Sequence, residues 1–132
     1  MIPKFIRLMR AGEPPTIYGD GSAARDFTHV ANVVDANIAA AHAANAAGLT
    51  INVATGISHT LLELVATLNQ LMGTELEPVH LDPRAGDVAV SEADVSLAHD
   101  RLGYEPAVDF GEGLRRTINW IASISAANAA AP

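Results

Sequence analysis

Cysteine is absent from this sequence. That excludes disulfides, thiolate nucleophiles and Cys-type zinc sites, and it fits a cytoplasmic protein. Lysine occurs once, as Lys4. Neither Tyr18 nor Tyr104 has a lysine four residues on, so a Tyr-x-x-x-Lys proton-transfer pair is excluded. Basic residues are scarce: eight Lys and Arg stand against fifteen Asp and Glu, for a net charge of −7. Nucleic acid and anionic membranes need a basic face, and this balance argues against both. No apolar run approaches the ~20 residues of a membrane span. Met1 to Arg10 holds only short apolar pieces, unlike a signal peptide. A G-x-S-x-G elbow and a Walker loop are also lacking. The histidines at 29, 42, 59, 80 and 99 show no metal-ligand spacing.

What is present suits one folded domain of mixed α and β structure. The 132 residues are 49% hydrophobic and 17% charged, enough apolar material for one core and too much for a disordered chain. Phe5, Ile6, Leu8 and Met9 mark a first amphipathic helix over about Pro3 to Ala11, half of a larger element by its pattern. Gly12, Pro14 and Pro15 end it. Thr16 to Tyr18 reads as a strand, Gly19-Asp20-Gly21-Ser22 as a turn, and Arg25 to Val30 as the second strand of a hairpin. Asn32 is predicted to cap an alanine-rich helix ending near Gly48. Thr50 to Ala54 is predicted as a strand. Thr60 and Glu63 form a capping box for a helix carrying Leu61, Leu64, Val65, Leu68 and Leu71 and closed by Gly73. Leu76 to Leu81 is a further strand, and Pro83 to Val90 an irregular loop. Asp94 is predicted to cap a short helix ending at Leu102-Gly103. A last helix spans Phe110 to Ile124. Residues 1–125 form the domain, and the Ala-rich tail 126–132 is expected to be disordered.

Gly19-x-Gly21-x-x-Ala24 formally fits a dinucleotide fingerprint. The fingerprint needs a buried strand before it and a helix opening within it. Here two prolines precede a three-residue strand, and a hairpin turn explains the glycines. Arginines offer more. Arg25 follows the glycine turn, and Arg84 sits in Pro83-Arg84-Ala85-Gly86-Asp87. A guanidinium keeps its charge and presents a planar fork of donors, which suits phosphate oxygens. The plain alternatives are a surface pair of Arg25 with Asp26 or Asp20, and an Arg84–Asp87 pair inside the loop, each contributing about 0–1 kcal/mol. The Asp87 carboxylate also suits a sugar diol. Tyr18 either lines a pocket for a flat base or packs on the core.

Five motifs occur in one order: Ile17-Tyr18-Gly19-Asp20-Gly21-x-x-x-Arg25-Asp26-Phe27-x-x-Val30; Asn52-Val53-Ala54-x-Gly56; Pro83-Arg84-x-Gly86-Asp87; Leu102-Gly103-Tyr104-x-Pro106; and Gly113-Leu114-x-x-Thr117-x-x-Trp120. The series resembles the C-terminal part of extended short-chain dehydrogenase/reductase enzymes acting on nucleotide sugars, in particular NAD-dependent UDP-sugar 4-epimerases, over roughly residues 2 to 124. The resemblance implies a nucleotide-sugar-binding α/β domain without its Rossmann half. By it, Arg25 and Arg84 grip the diphosphate, Asp87 meets the ribose hydroxyls, and the strand from Thr16 to Tyr18 borders the uracil. NAD is implied for the full-length family, where a tyrosine assists hydride removal at C4. The glycine-rich NAD turn, the Tyr-x-x-x-Lys pair and the central sheet have no counterpart in this sequence. No cofactor, metal or catalytic residue is therefore expected of this chain alone. Asn32 stands where the family usually has aspartate, which keeps the cap but loses a charge contact. In the family the alanine-rich helix and the Ile51–Ala54 strand lie against the Rossmann sheet. Their exposure here implies a homo-oligomer or a separate Rossmann-domain chain as partner. The alternative is a non-enzymatic oligomerising module that kept the fold and lost the chemistry.

Overall fold

The computed structural model describes residues 1–129. Along the chain run α1 (Ile2–Arg10), β1 (Thr16–Tyr18), β2 (Ala24–Arg25), α2 (Val30–His42), β3 (His59–Thr60), α3 (Leu61–Met72), β4 (Val79–Leu81), β5 (Val90–Ser91), α4 (Ser96–Leu102) and α5 (Phe110–Ala129). This is the mixed α/β composition expected of the sequence.

The apolar stripes of α1, α3 and α5 meet at one core. Phe5, Ile6 and Met9 of α1 pack with Leu61, Leu64, Val65 and Leu68 of α3, Leu114 and Ile121 of α5, and Ile17 of β1. Each fully buried side chain of this size contributes roughly 1.5–3 kcal/mol. The capping box of α3 forms as predicted. The Glu63 N–H donates to Thr60 Oγ1 at 3.1 Å, and the Thr60 N–H donates to Glu63 Oε2 at 2.7 Å. Gly73 closes the helix in the left-handed conformation, at φ 67°, which glycine adopts without a Cβ penalty. Leu71 lies at the edge of this stripe, exposed rather than buried. A second, smaller cluster joins Ala36 of α2, Ala98 of α4 and Tyr104, with Ile51, Val53 and Leu102 against it.

The expected hairpin does not form. β1 pairs in parallel with β4, with Thr16 opposite Val79 and Tyr18 opposite Leu81. β2 pairs antiparallel with β3 and parallel with β5. The Gly19–Ala23 turn is folded on itself, Asp20 Oδ1 accepting from the Ser22 N–H at 2.9 Å and from Ser22 Oγ at 2.6 Å. It steps the chain from one sheet to the other. Gly19 and Gly21 both take positive φ, 83° and 84°. At Gly21 a Cβ would also meet Leu62 Cγ at 2.7 Å. Because both pairings are parallel, the β1–β2 turn and the β4–β5 loop run side by side in the same sense.

Other boundaries shift for identifiable reasons. The second strand stops at Arg25 because Asp26 and Phe27 turn to other partners. Phe27 stacks on Phe110, with centroids 5.6 Å apart, and Phe110 stacks on His59 at 4.0 Å. The cap of α2 is His29, whose Nδ1 accepts from the Ala31 N–H at 3.2 Å. Asn32 instead lies inside α2, fully buried. Its Nδ2 donates to the Val108 carbonyl at 2.8 Å, and the Val108 N–H donates to its Oδ1 at 2.9 Å. α2 ends at His42 rather than near Gly48. Residues 50–54 form no strand, since a strand is defined by pairing and none of the described residues pairs with them. β4 begins at Val79 because Asn69 binds both backbone groups of Leu76 at 3.0 Å and Pro78 has no N–H to donate. The Ser96 N–H does bond Asp94 Oδ1, at 2.9 Å, although Val95 occupies the cap position of α4. α5 carries on to Ala129, so the tail expected from Ala126 starts as helix. Residues 130–132 lie outside the described residues.

Candidate functional site

The two side-by-side connections enclose a cleft of about 370 Å³ lined by Tyr18, Gly19, Asp20, Ser22, Ala23, Pro83, Arg84, Asp87, Val88 and Ala89. Gly19 is favoured here by its positive φ of 83°, and a Cβ there would make only an ordinary contact with Pro83, at 3.8 Å. His80, beside the cleft, ties β4 to the turn, its Nδ1–H donating to the Gly19 carbonyl at 2.7 Å. The strand register fixes both ends of the loop: the Gly19 N–H donates to the Leu81 carbonyl at 2.8 Å, and the Ala24 N–H donates to the Ala89 carbonyl at 2.7 Å.

Three of the five sequence-predicted residues, Tyr18, Arg84 and Asp87, line this cleft, and Arg25 joins them through Asp87. Arg84 lies over the Tyr18 ring, 3.7 Å from its centroid, a cation–π contact worth roughly 0.5–1 kcal/mol at an exposed site. Hydrogen bonding and charge from Arg84 hold the Tyr18 phenol below its ordinary value of 10.0. Arg25 reaches across from β2. Its Nη2 donates to Asp87 Oδ1 at 2.6 Å, and its Nη1 donates to the Ala24 carbonyl at 2.7 Å and the Ala89 carbonyl at 3.4 Å. The Arg25 side chain is 23% exposed and that of Asp87 46%. Both local pairings considered from sequence are thus replaced. Arg25 pairs with Asp87 rather than Asp26 or Asp20, and Arg84 stacks on Tyr18 rather than pairing with Asp87. The Arg84–Asp87 turn is closed by backbone, the Asp87 N–H donating to the Arg84 carbonyl at 3.2 Å. Thr16 stands apart from the cleft, two residues back on β1 opposite Val79.

The remaining motif residues hold the frame. Asp26, beside Arg25, faces away from the cleft. Its Oδ1 accepts from the Thr55 N–H at 3.0 Å and Thr55 Oγ1 at 2.6 Å, and its Oδ2 accepts from the Gly56 N–H at 2.8 Å. The Tyr104 hydroxyl donates to the Ala54 carbonyl at 2.9 Å; burial, then the charges of Asp26 and Asp35, raise its pKa above 10.0. A Cβ on Gly113 would come within 3.1 Å of His29 Cβ, so glycine there lets α5 approach the start of α2. Trp120, by contrast, is 56% exposed. Sequence reasoning missed the His80 bond to Gly19, because one histidine without a ligand-like spacing carries no signal. It missed Asn32–Val108 because the partner of Asn32 is backbone 76 residues away. Among the described residues no group of three His, Cys, Asp or Glu is placed to hold a metal, and no helix is long and apolar enough to cross a membrane.

Comparison with known proteins places this geometry. Residues 1–117 match the family model described as GDP-mannose 4,6 dehydratase. The UDP-glucose 4-epimerase of Mycolicibacterium smegmatis is 35% identical over 116 residues, 88% of this chain and 37% of that protein. The UDP-glucose 4-epimerase of Thermotoga maritima, solved with UDP-glucose, superposes with a TM-score of 0.87 at 35% identity, covering 94% of this chain and 40% of that one. The UDP-glucuronic acid 4-epimerase of Bacillus cereus, solved with UDP-glucuronic acid and NAD, gives 0.87 at 27% identity over 93% and 40%. The chain thus spans well under half the length of the relatives it matches. It belongs to the nucleotide-sugar epimerase and dehydratase family of that model, and it corresponds to the C-terminal part of a UDP-sugar 4-epimerase-like extended short-chain dehydrogenase/reductase.

Proposed function

We propose that this chain binds a nucleotide-diphosphate sugar, a UDP-sugar, in the cleft between the β1–β2 turn and the β4–β5 loop. It serves there as the substrate-binding portion of an NAD-dependent, cytoplasmic nucleotide-sugar 4-epimerase. Arg25 and Arg84 take the diphosphate, Asp87 takes the ribose hydroxyls, and the β1 strand from Thr16 borders the base at its Tyr18 end. The observation that carries this reading is that Tyr18, Arg84 and Asp87 meet on one cleft, with Arg25 paired to Asp87 across 62 residues of chain. Chemistry at C4 needs a hydride acceptor and a proton acceptor, and a cofactor-binding portion supplies them. This chain alone turns over no substrate.

The outward face of α2 supports an association. Val30, Val34 and Ile38 are about half exposed or more, at 67%, 49% and 56%. Contiguous apolar surface of this kind marks an interface. It suits a Rossmann-domain polypeptide or a second copy of this chain. The second reading, an oligomerising module without nucleotide affinity, rests on that face alone.

Calorimetry with UDP and UDP-glucose tests the proposal. Each charge-assisted phosphate contact contributes about 1.5–3 kcal/mol, so Arg25→Ala and Arg84→Ala are each expected to weaken binding at least ~10-fold. Absence of binding, or binding indifferent to both substitutions, defeats the assignment. Absence of binding by an oligomer in solution favours the second reading.

A further inference from the structure

The Arg25–Asp87 pair does more than brace the loop. Arg25 spends Nη1 on two backbone carbonyls and Nη2 on Asp87 Oδ1. Nε–H and one Nη2 hydrogen remain of its five donors, and a phosphate oxygen taking them meets the Asp87 carboxylate on the same Nη2. Two anions on one guanidinium repel each other, so the phosphate gains the full charge of Arg25 only as Asp87 leaves it. Asp87 then swings free with both oxygens unpaired, in a loop turn held by the left-handed Gly86 at φ 81°. A carboxylate so released is an acceptor for a vicinal diol. Bare pyrophosphate carries no diol and leaves Asp87 without a partner beside its own negative charge.

We infer that Asp87 is an internal competitor for the phosphate site on Arg25, and that this exchange makes the cleft select nucleoside diphosphates over bare pyrophosphate. The inference rests on the reading that the cleft takes a diphosphate. Asp87 is a specificity-determining residue in this scheme: its carboxylate is handed from Arg25 to the ribose when the right ligand enters, and opposes the ligand when it does not.

The experiment measures the affinities of UDP and pyrophosphate for the unsubstituted chain and for Asp87→Asn, Asp87→Ala and Asp82→Asn. Asp82 sits at the start of the same loop and makes no part of the pair, so its substitution controls for the loss of one negative charge. Removing a partly exposed ion pair frees Arg25 and is expected to tighten pyrophosphate binding about three- to fivefold in both Asp87 variants. UDP, which also loses its diol acceptor, is expected to bind no tighter than before. The preference for UDP over pyrophosphate therefore falls at least about threefold, and Asp82→Asn leaves it unchanged. Pyrophosphate binding that is unaltered or weakened in both Asp87 variants, with UDP still bound by the unsubstituted chain, overturns the inference and leaves the binding site standing. An equal gain with Asp82→Asn overturns it as well, as a general charge effect. Failure of every variant to bind either ligand overturns the inference together with the site.

Discussion

Asn32→Ala is expected to cost this fold about 2–5 kcal/mol. The side chain is fully buried, and Val108, its partner, is 4% exposed. The substitution removes two hydrogen bonds, of 2.8 and 2.9 Å. More costly, it leaves both the N–H and the carbonyl of Val108 buried without a partner. Each such orphan costs about 1–3 kcal/mol, and the two together give the range, reduced where a water enters the gap. Domains are stable by only about 5–15 kcal/mol, so the effect takes a large share. Urea unfolding followed by far-ultraviolet circular dichroism measures it, because Trp120 is too exposed to report on this packing. At a central m-value of about 2 kcal/mol/M, the midpoint falls by about 1–2.5 M. Asn37→Ala is the matched control. Asn37 also bonds backbone, donating to the Val33 carbonyl at 2.7 Å, but it is exposed, and its loss is expected to stay within about 0.5 kcal/mol. Equal losses for the two asparagines refute the reasoning. The test also separates Asn32 as a brace between α2 and the approach to α5 from Asn32 as a simple helix cap, whose removal costs only about 1 kcal/mol.

Two predictions concern pH. Absorbance titration of the two tyrosines is expected to show two steps, Tyr18 ionising below the ordinary phenol value and Tyr104 above it. Arg84→Ala is expected to return the first step to the ordinary value without moving the second, and a first step unmoved by that substitution removes Arg84 from the ring. On the acid side, Asp20, Glu63, Asp94 and Glu112 all have folded pKa values held down: by Ser22, Thr60, Ser96, and Arg116 with Arg115, respectively. A depressed carboxylate pKa adds stability above the unfolded value and loses it as pH falls through the folded one. Stability is thus expected to hold at neutral pH and to fall below about pH 4.5. Glu63→Gln, which keeps an acceptor for the Thr60 N–H but does not titrate, should make that decline shallower; an unchanged slope removes the capping box from it.

Much of the frame was legible because its signals are local. The Thr60–Glu63 box, Gly73 and Gly103, and the stripe of Leu64, Val65 and Leu68 each act within one or two turns of helix. The sheet pairing was not legible. Thr16–Tyr18 and Ala24–Arg25 are too short to show a period, and their parallel partners, Val79–Leu81 and Val90–Ser91, lie far along the chain. Thr50–Ala54 has the composition of a strand, and Ile51 and Val53 do face the second cluster, but backbone pairing takes a neighbour that the described residues do not supply. The cleft was half legible. Motif order singled out Tyr18, Arg25, Arg84 and Asp87, and the fold brings those four together. Which arginine pairs with what depended on the parallel run of the two loops, and no local pattern encodes it. Motif order also included Asp26, Gly56, Tyr104 and Gly113, which hydrogen-bond and pack within the frame.

The most direct test of the central claim is an amide chemical-shift titration of the isotope-labelled chain with UDP. Saturable shifts confined to residues 17–25 and 80–90, and lost in Arg84→Ala, are the predicted result. Shifts centred elsewhere, such as along α2 or around Trp120, or no shifts at millimolar UDP, would contradict it.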